Sequence, residues 1–195
     1  FEEGKISGLL IVSPKGNLNN WDSNEISRHL PERIKRNVLV WQPNHTQRWT
    51  KAFKDMVQND STGVLNIFLV NVEAFATVKA CTHVEEFLVT HDAMMAIDES
   101  TTIKNPKAKR TKHLIKLGPL ADYRRILTGF PITKAPLDLY SQCYFLSPNL
   151  LGFSSFYAFQ ARYAITQSRQ MGRHAFQQVM GFQKLDELQE SIKDF

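Results

Sequence analysis

The apolar residues of this chain fall into short unbroken runs, separated by longer stretches with helical spacing. Such runs are typical of strands buried on both faces; they occur at 8–13, 37–41, 64–70 and 93–97, and a shorter strand is predicted at 124–127. Apolar residues three and four positions apart predict helices at 18–30, 46–58, 73–88, 107–117 and 136–145. Strands and helices are therefore expected to alternate along most of the chain.

This alternation indicates a parallel sheet, because parallel neighbours need a crossover connection and the crossover is usually a helix. We predict an α/β fold in which one parallel sheet lies between two helical layers, over residues 1–147. Residues 148–195 differ, since they are rich in aromatic residues and glutamine and have no comparable apolar run. We predict a helical extension there that ends in an amphipathic helix at 186–195.

The composition excludes several classes of protein. A chain of 195 residues with 43% hydrophobic residues can bury one substantial core. No apolar run approaches the about 18 residues of a transmembrane helix, so no membrane partner is predicted. Cys81 and Cys143 have no motif spacing and the six histidines are scattered, which favours free thiols in a reducing, cytoplasmic compartment and argues against a zinc site.

The formal net charge is +5, and the positive charge is concentrated in one segment. No acidic residue lies between Glu99 and Asp122, whereas the basic residues in that interval are Lys104, Lys107, Lys109, Arg110, Lys112 and Lys116. One interpretation is a solvated helix face. The other is a surface that contacts a phosphate backbone or a partner domain.

An acidic pair, Asp98-Glu99, directly follows the predicted strand 93–97. Ligands of open α/β sheets bind just beyond the carboxyl ends of the strands. Two carboxylates there suit nucleotide hydrolysis, since one can hold Mg²⁺ and the other can orient a water for attack on phosphorus. An exposed acidic loop without function is the alternative for the pair taken alone.

Three further polar segments follow predicted strands. They are Ser-Pro-Lys at 13–15, Asn-Val-Glu-Ala at 71–74 and Leu-Thr-Gly-Phe-Pro at 127–131. Because the carboxyl ends of parallel strands meet at one edge, we expect all three to lie near the acidic pair. Each segment alone is a weak signal, and the combination is much stronger.

The order and spacing of these segments resemble the first motor lobe of SWI/SNF-type ATPases, in helicase superfamily two. The matching segments are LLIVSPKGNLNNW (motif Ia), NVEAF (motif Ib), IDESTTIKNPKAKRTK (the Walker B box, motif II), RRILTGFPIT (motif III), and PLDLYSQCYFL with GFSSFYAFQARYA (the helices after motif III). The compact bacterial and phage branch is the most similar. The resemblance implies a RecA-like P-loop NTPase lobe, in the cytoplasm of a bacterium or an infected host.

The resemblance also implies roles for individual residues. Asp98 would bind Mg²⁺ and Glu99 would position or deprotonate the attacking water, so both would serve catalysis and contact the ATP cofactor. Residues implied to contact nucleic acid are Ser13, Pro14, Lys15, Asn71, Lys104 and Lys134. Residues implied to couple nucleotide state to nucleic acid are Thr101, Thr128 and Gly129.

The chain departs from the family pattern in several places. Ser100-Thr101 replace the usual Ala-His or Ser-His, Phe130 replaces the second threonine of LTGTP, and Lys134 stands where asparagine is common. No GxxxxGK[ST] phosphate cradle occurs in the 195 residues. We therefore expect a partial motor lobe whose Walker A loop precedes Phe1 and whose second RecA-like lobe follows in the same polypeptide. The piece alone is expected to be inactive.

The leading prediction is an ATP-dependent DNA helicase or translocase that moves on duplex or single-stranded DNA, with RNA as another track. The alternative is a non-enzymatic nucleic-acid-binding module that uses the basic segment and the Ser13–Lys15 loop. A third interpretation is a small-molecule enzyme with Asp98 and Glu99 as an acid/base pair. The aromatic stretch 153–163 is expected to be core, with base stacking as its alternative.

Overall fold

A computed structural model describes residues 1–58, 63–171 and 174–193, and within these a five-stranded parallel sheet forms the centre of the fold. The strands are β1 (Gly8–Ser13), β2 (Lys35–Val40), β3 (Val64–Asn71), β4 (Ala93–Asp98) and β5 (Tyr123–Leu127). Their order across the sheet is β2-β3-β1-β4-β5. Each strand lies within two residues of its predicted position, so the parallel α/β architecture is confirmed.

Helices connect the strands and cover the sheet. The α-helices are α1 (Lys15–Asn20), α2 (Ile26–His29), α3 (Gln47–Gln58), α4 (Val78–Thr90), α5 (Lys109–Leu117) and α6 (Leu139–Leu146). A π-helical turn, Trp21–Glu25, joins α1 to α2. Short 3-10 helices occur at Val72–Ala76, Ser100–Ile103, Gly118–Leu120 and Pro136–Asp138.

The core has two parts because successive strand residues point to opposite faces of the sheet. One apolar cluster, the larger, contains Phe68 and Val70 of β3 together with side chains of α3, α4 and α5. The smaller cluster, on the other face, contains Ile67 and Leu69 together with side chains of α1 and α2. Both faces are therefore covered by helices. This explains why the central strands β1, β3 and β4 carry unbroken apolar runs, and it confirms the predicted three layers.

Strand register brings the carboxyl ends of the strands together. Ser13 pairs with Asn71 of β3, Val12 beside it pairs with Ile97, and Asp98 pairs with Leu127 of β5. We call this line of strand ends (Ser13, Asn71, Asp98, Leu127) the carboxyl edge. The segments that follow these strands start from one edge of one sheet, as the sequence predicts.

The prediction of a helical extension is wrong for residues 164–171 and 174–182, which form strands. Helix α7 (Phe156–Tyr163) is followed by an antiparallel hairpin of β6 (Ala164–Met171) and β7 (His174–Phe182). The described side chains of the hairpin are mostly exposed, so its strands lack the apolar runs that revealed the others.

Helix α8 (Leu185–Ser191) overlaps the predicted final helix and begins one residue before it. Positions 194–195 of that prediction lie outside the described residues. Helices α6, α7 and α8 pack together through Leu139, Tyr140, Phe159, Tyr163 and Leu188. The division of the chain at residue 147 stays a prediction.

Candidate active site at the carboxyl edge

The Asp98 carboxylate is oriented by three hydrogen bonds. Its Oδ2 accepts from Ser13 Oγ and from Trp21 Nε1, each at 2.9 Å, and its Oδ1 accepts from the backbone N–H of Glu99 at 3.0 Å. Ser13 is fully buried, and Asp98 and Trp21 are half-buried. Rotation of the carboxylate would break at least one of these bonds, so its direction at the sheet edge is fixed.

Sequence analysis missed Trp21. It opens the π-helical turn that follows α1 and lies 77 positions before Asp98 in the chain. A π-turn changes which way its side chains point relative to a regular helix, and such turns are frequent at functional sites. The sequence did offer one signal, a tryptophan placed among polar residues at 19–23.

Glu99 follows in the left-handed backbone region, with φ 49° and ψ 57°. This region is unfavourable for a residue with a Cβ, and strained residues cluster at functional sites. The conformation turns the chain out of β4 into the 3-10 helix Ser100–Ile103. It leaves the Glu99 side chain exposed, where it can meet a ligand beyond the sheet.

A buried polar bridge links the segment after β4 to the loop after β5. Ser100 Oγ donates to Gln142 Oε1 at 2.6 Å, and Gln142 Nε2 donates to the carbonyls of Pro131 and Asp138 at 2.7 and 2.8 Å. The hydroxyl connected to the loop is therefore that of Ser100, and Gln142 makes the connection. Gln142 was not among the residues predicted from the sequence. The coupling role given to the neighbouring Thr101 stays a prediction.

Asp138 organises the loop that carries Lys134. Its Oδ2 accepts from Thr133 N, Thr133 Oγ1 and Lys134 N at 3.1, 2.8 and 2.9 Å, and it forms an ion pair with Lys104 Nζ at 3.4 Å. Lys104 Nζ also donates to Thr133 Oγ1. Burial raises the pKa of Asp138, but these hydrogen bonds and the Lys104 charge outweigh it and lower the pKa below its ordinary value.

The predicted nucleic-acid residues divide into inward-facing and exposed ones. The Ser13 hydroxyl donates its hydrogen bond to Asp98, and the half-buried Lys104 forms an ion pair with Asp138. Lys15, the first residue of α1, and Lys134 have exposed side chains. The remaining two, Pro14 and Asn71, are half-buried at the edge, and Asn71 Nδ2 donates to Glu73 at 3.2 Å.

The two remaining coupling residues begin the loop after β5. Thr128 is half-buried and its Oγ1 accepts from Phe130 N at 3.3 Å, whereas Gly129 is exposed. Phe130, the departure from the family pattern, is 79% exposed. The geometry therefore places Thr128 and Gly129 one and two residues beyond the strand end that pairs with Asp98.

The basic segment is partly structural. Thr111, Leu114 and Leu117 anchor α5 in the core. The half-buried Arg110 donates from Nε to the Thr102 carbonyl at 3.0 Å. Exposed lysines of the segment are Lys107, Lys109, Lys112 and Lys116.

The aromatic stretch is mainly core, as expected. Phe153, Phe156, Phe159 and Tyr163 belong to the cluster that holds α6, α7 and α8 together. Tyr157 differs, since it is 66% exposed and Lys107 Nζ lies 5.8 Å from its ring centroid. Tyr157 is therefore the exposed ring of the stretch, whereas Phe153 and Phe156 are half-buried and Phe159 and Tyr163 are buried; the base-stacking alternative stays a prediction.

The donor set of the edge fits a magnesium–nucleotide complex better than a metal held by protein alone. Within residues 1–58, 63–171 and 174–193, no group of three or more His, Cys, Asp or Glu is arranged to hold a metal. Mg²⁺ needs no such cage, because one carboxylate, waters and nucleotide phosphates suffice. Asp98 supplies an oriented carboxylate of this kind.

No helix in the described part of the chain is long and apolar enough to cross a bilayer.

Comparison with known families decides the identity of the domain. The model of the SNF2-related domain matches residues 2–191. The chain belongs to the SNF2-related domain family. The similarity of the motif segments to SWI/SNF-type ATPases, noted from the sequence, is therefore confirmed at the level of the family.

Named relatives of this SNF2-related domain include helicases. The bovine DNA annealing helicase and endonuclease ZRANB3 is 27% identical over 186 residues, which are 95% of the chain and 16% of that protein. Helicase SWR1 of Cryptococcus neoformans is 29% identical over 143 residues, 73% of the chain and 10% of that protein. The chain thus spans less than a fifth of either relative.

Solved structures show the same fold. A Sulfolobus solfataricus SWI2/SNF2 ATPase core in complex with dsDNA has a TM-score of 0.58 and 24% identity over 83% of the chain, which is 29% of the solved chain. The ATPase core domain from the same organism has a TM-score of 0.56, 26% identity and the same coverage of the chain. The RecA-like fold is therefore confirmed, whereas the bacterial or phage branch stays a prediction.

Proposed function

We propose that this SNF2-related domain is part of the first motor lobe of an ATP-dependent DNA helicase or translocase. The observation that carries the proposal is the position of Asp98. It lies at the carboxyl edge and is held by Ser13 and Trp21, which flank α1, the helix that begins with the nucleic-acid candidate Lys15. The loop after β5 starts beside it. A nucleotide site and a strand-binding site would thus share one edge.

In this proposal, Asp98 would hold Mg²⁺ and Glu99 would accept a proton from the attacking water. Mg²⁺ supplies charge neutralisation at the phosphates when ATP is bound. The protein's part is to orient Asp98 through its three donors and to keep Glu99 exposed beyond β4. The Ser100–Gln142–Pro131 bridge would carry a change at the acidic pair to the loop after β5.

DNA binding is proposed from the exposed positive charge. Lys15, Lys134 and the exposed lysines of the basic segment would contact phosphates, because lysine contacts to the backbone give affinity without sequence readout. RNA is an alternative track with the same phosphate chemistry. The Sulfolobus solfataricus core that was solved with dsDNA has a similar fold, and this similarity further supports DNA as the track.

The proposed intact polypeptide also contributes a glycine-rich phosphate loop and a second RecA-like lobe. The 195 residues contain no GxxxxGK[ST]. The second lobe of such a motor would supply an arginine finger to the γ-phosphate, and an arginine finger alone can raise the rate of hydrolysis by about 10³–10⁵. Little ATP turnover is therefore expected from these residues by themselves, and turnover within tenfold of a complete homologous motor would contradict this assignment.

A binding experiment tests the DNA part directly. Fluorescence anisotropy with a labelled duplex, measured over a salt series, should show weaker binding in Lys15→Ala and Lys109→Ala, and each should reduce the salt slope by about one. Lys35→Ala is the matched control, because Lys35 is exposed at the amino end of β2, away from the carboxyl edge. Equal losses in all three variants would show binding that does not use this edge.

The alternative of a non-enzymatic nucleic-acid-binding module shares the same exposed lysines. Salt-dependent DNA affinity does not separate the two functions, because both predict it. The coding sequence upstream of Phe1 does. A glycine-rich loop ending in Gly-Lys-Thr or Gly-Lys-Ser favours the motor, and a start codon at this point favours the module.

A further inference from the structure

Helix α1 is attached at both of its ends to one carboxylate oxygen. Ser13 lies two residues before Lys15, where α1 begins, and Trp21 directly follows Asn20, where it ends. Both donate to Oδ2 of Asp98 at 2.9 Å. We call this arrangement the Ser13–Asp98–Trp21 clamp.

We propose that Trp21 is a positioning residue that couples α1 to the Asp98 carboxylate, so that nucleic acid bound at Lys15 and the state of Asp98 influence each other. The inference rests on the proposed function, since it assigns nucleic acid to α1 and metal to Asp98. It goes beyond that function by naming the residue that links the two.

The small size of α1 makes the clamp effective. The helix has six residues, and Leu18 is the one it buries. Its own apolar anchor on the sheet is therefore Leu18, and the two bonds to Asp98 hold its ends in addition to the packing of Trp21 and of Ile26 in the adjoining α2. A shift of α1 toward a phosphate backbone would lengthen a bond to Asp98, and a change at Asp98 would release α1. Coupling of this kind is reciprocal by thermodynamic linkage.

The three tryptophans of the chain differ in what their indole N–H groups bind. Trp21 donates to a carboxylate, and Trp49 donates to the backbone carbonyl of Val40 at 2.8 Å. The buried Nε1 of Trp41 has no hydrogen-bond partner within the described residues. Trp41→Phe is therefore a matched control for Trp21→Phe, because it also exchanges an indole for a benzene ring but breaks no hydrogen bond.

The first experiment detects the clamp itself. In a ¹H–¹⁵N spectrum of the ¹⁵N-labelled chain, the three indole N–H signals are assigned by the Trp→Phe variants. Hydrogen bonds to a charged acceptor are stronger than neutral ones. Asp98→Asn should therefore move the Trp21 indole proton upfield, by more than those of Trp41 and Trp49. An unmoved Trp21 signal would overturn the proposal whatever the chain binds.

The second experiment measures coupling by a double-mutant cycle. Duplex DNA affinity is measured for wild type, Trp21→Phe, Asp98→Asn and the double variant, with circular dichroism to confirm folding. Asp98→Asn alone removes a negative charge and raises affinity by a Coulomb effect that is independent of Trp21. The clamp adds a non-additive part, expected to be at least about threefold, as for residues in direct contact.

The same cycle with Trp41→Phe should be additive within about twofold. Additivity in both cycles, with normal DNA binding, would overturn the clamp and leave the proposed function standing. Absence of DNA binding by the wild-type chain would overturn both the DNA part of the proposed function and the coupling. Non-additivity confined to Trp21 supports the proposal.

Discussion

The hydroxyl of Ser100 donates a 2.6 Å hydrogen bond to the side-chain carbonyl of Gln142, and both residues are fully buried. Because Gln142 also donates to the carbonyls of Pro131 and Asp138, its amide joins three separate segments. Buried polar networks stabilise a fold when every member is paired, and they are costly when one partner is lost.

Gln142→Ala is expected to lower the free energy of unfolding by about 3 kcal/mol or more, because a buried hydroxyl and two carbonyls lose their partner, each worth roughly 1–3 kcal/mol. Urea unfolding measures the change. The control is Ser23→Ala, since Ser23 Oγ donates to the Asn19 carbonyl on the exposed side of the π-turn. A loss for Gln142→Ala no greater than that for Ser23→Ala would contradict the bridge.

Asp138 predicts a pH dependence of stability. Burial raises its pKa, but the N–H groups of Lys134 and Thr133, the Thr133 hydroxyl and the Lys104 charge lower it below its ordinary value of 3.8. A carboxyl group with a lowered folded-state pKa stabilises the fold above its unfolded pKa, and this contribution is lost as the pH falls through the folded-state pKa.

The measurement is the difference in free energy of unfolding between wild type and Asp138→Asn as a function of pH. It should be constant between about pH 6 and 8 and should shrink as the pH falls below 3.8. Glu73→Gln is a suitable exposed control. A difference for Asp138→Asn that does not change with acid would show that the carboxylate charge does not stabilise the loop.

The left-handed backbone of Glu99 is expected to cost stability. Its left-handed backbone, φ 49°, favours glycine over any residue with a Cβ. Glu99→Gly should therefore be more stable than Glu99→Ala by about 1 kcal/mol in urea unfolding. At Glu73, in the 3-10 helix Val72–Ala76, the order should be reversed, with alanine more stable than glycine. The same order at both positions would argue against strain at Glu99.

Gly8 at the start of β1 and Gly16 in α1 are expected to respond in opposite ways to an added methyl group. A Cβ at Gly8 would lie 2.8 Å from Cβ of His91 and 3.1 Å from the Phe87 ring, so Gly8→Ala should destabilise by about 1–3 kcal/mol. Gly16, just beyond β1 in α1, has nothing within 4 Å of a built Cβ, so Gly16→Ala should stabilise by about 0.5–1 kcal/mol. Thermal unfolding of the two variants tests the pair; a stable Gly8→Ala would mean that α4 can move away from β1.

Much of the fold and several site residues could be predicted from the sequence. The central strands β1, β3 and β4 are buried on both faces and so leave unbroken apolar runs, and Asp98-Glu99 lies at the end of one of them. The hairpin β6–β7 could not be predicted in this way, because its described side chains are mostly exposed and the pattern of burial is missing.

The sequence by itself determined the alternation of strands and helices and the identity of the acidic pair, because both depend on residues that are near each other in the chain. Tertiary structure alone decided that Trp21 and Ser13 share one oxygen of Asp98, and that Gln142 joins Ser100 to Pro131. These contacts link residues between 11 and 85 positions apart. Side-chain hydrogen bonds at such separations depend on strand register and helix packing, and they leave no periodic signal in the sequence.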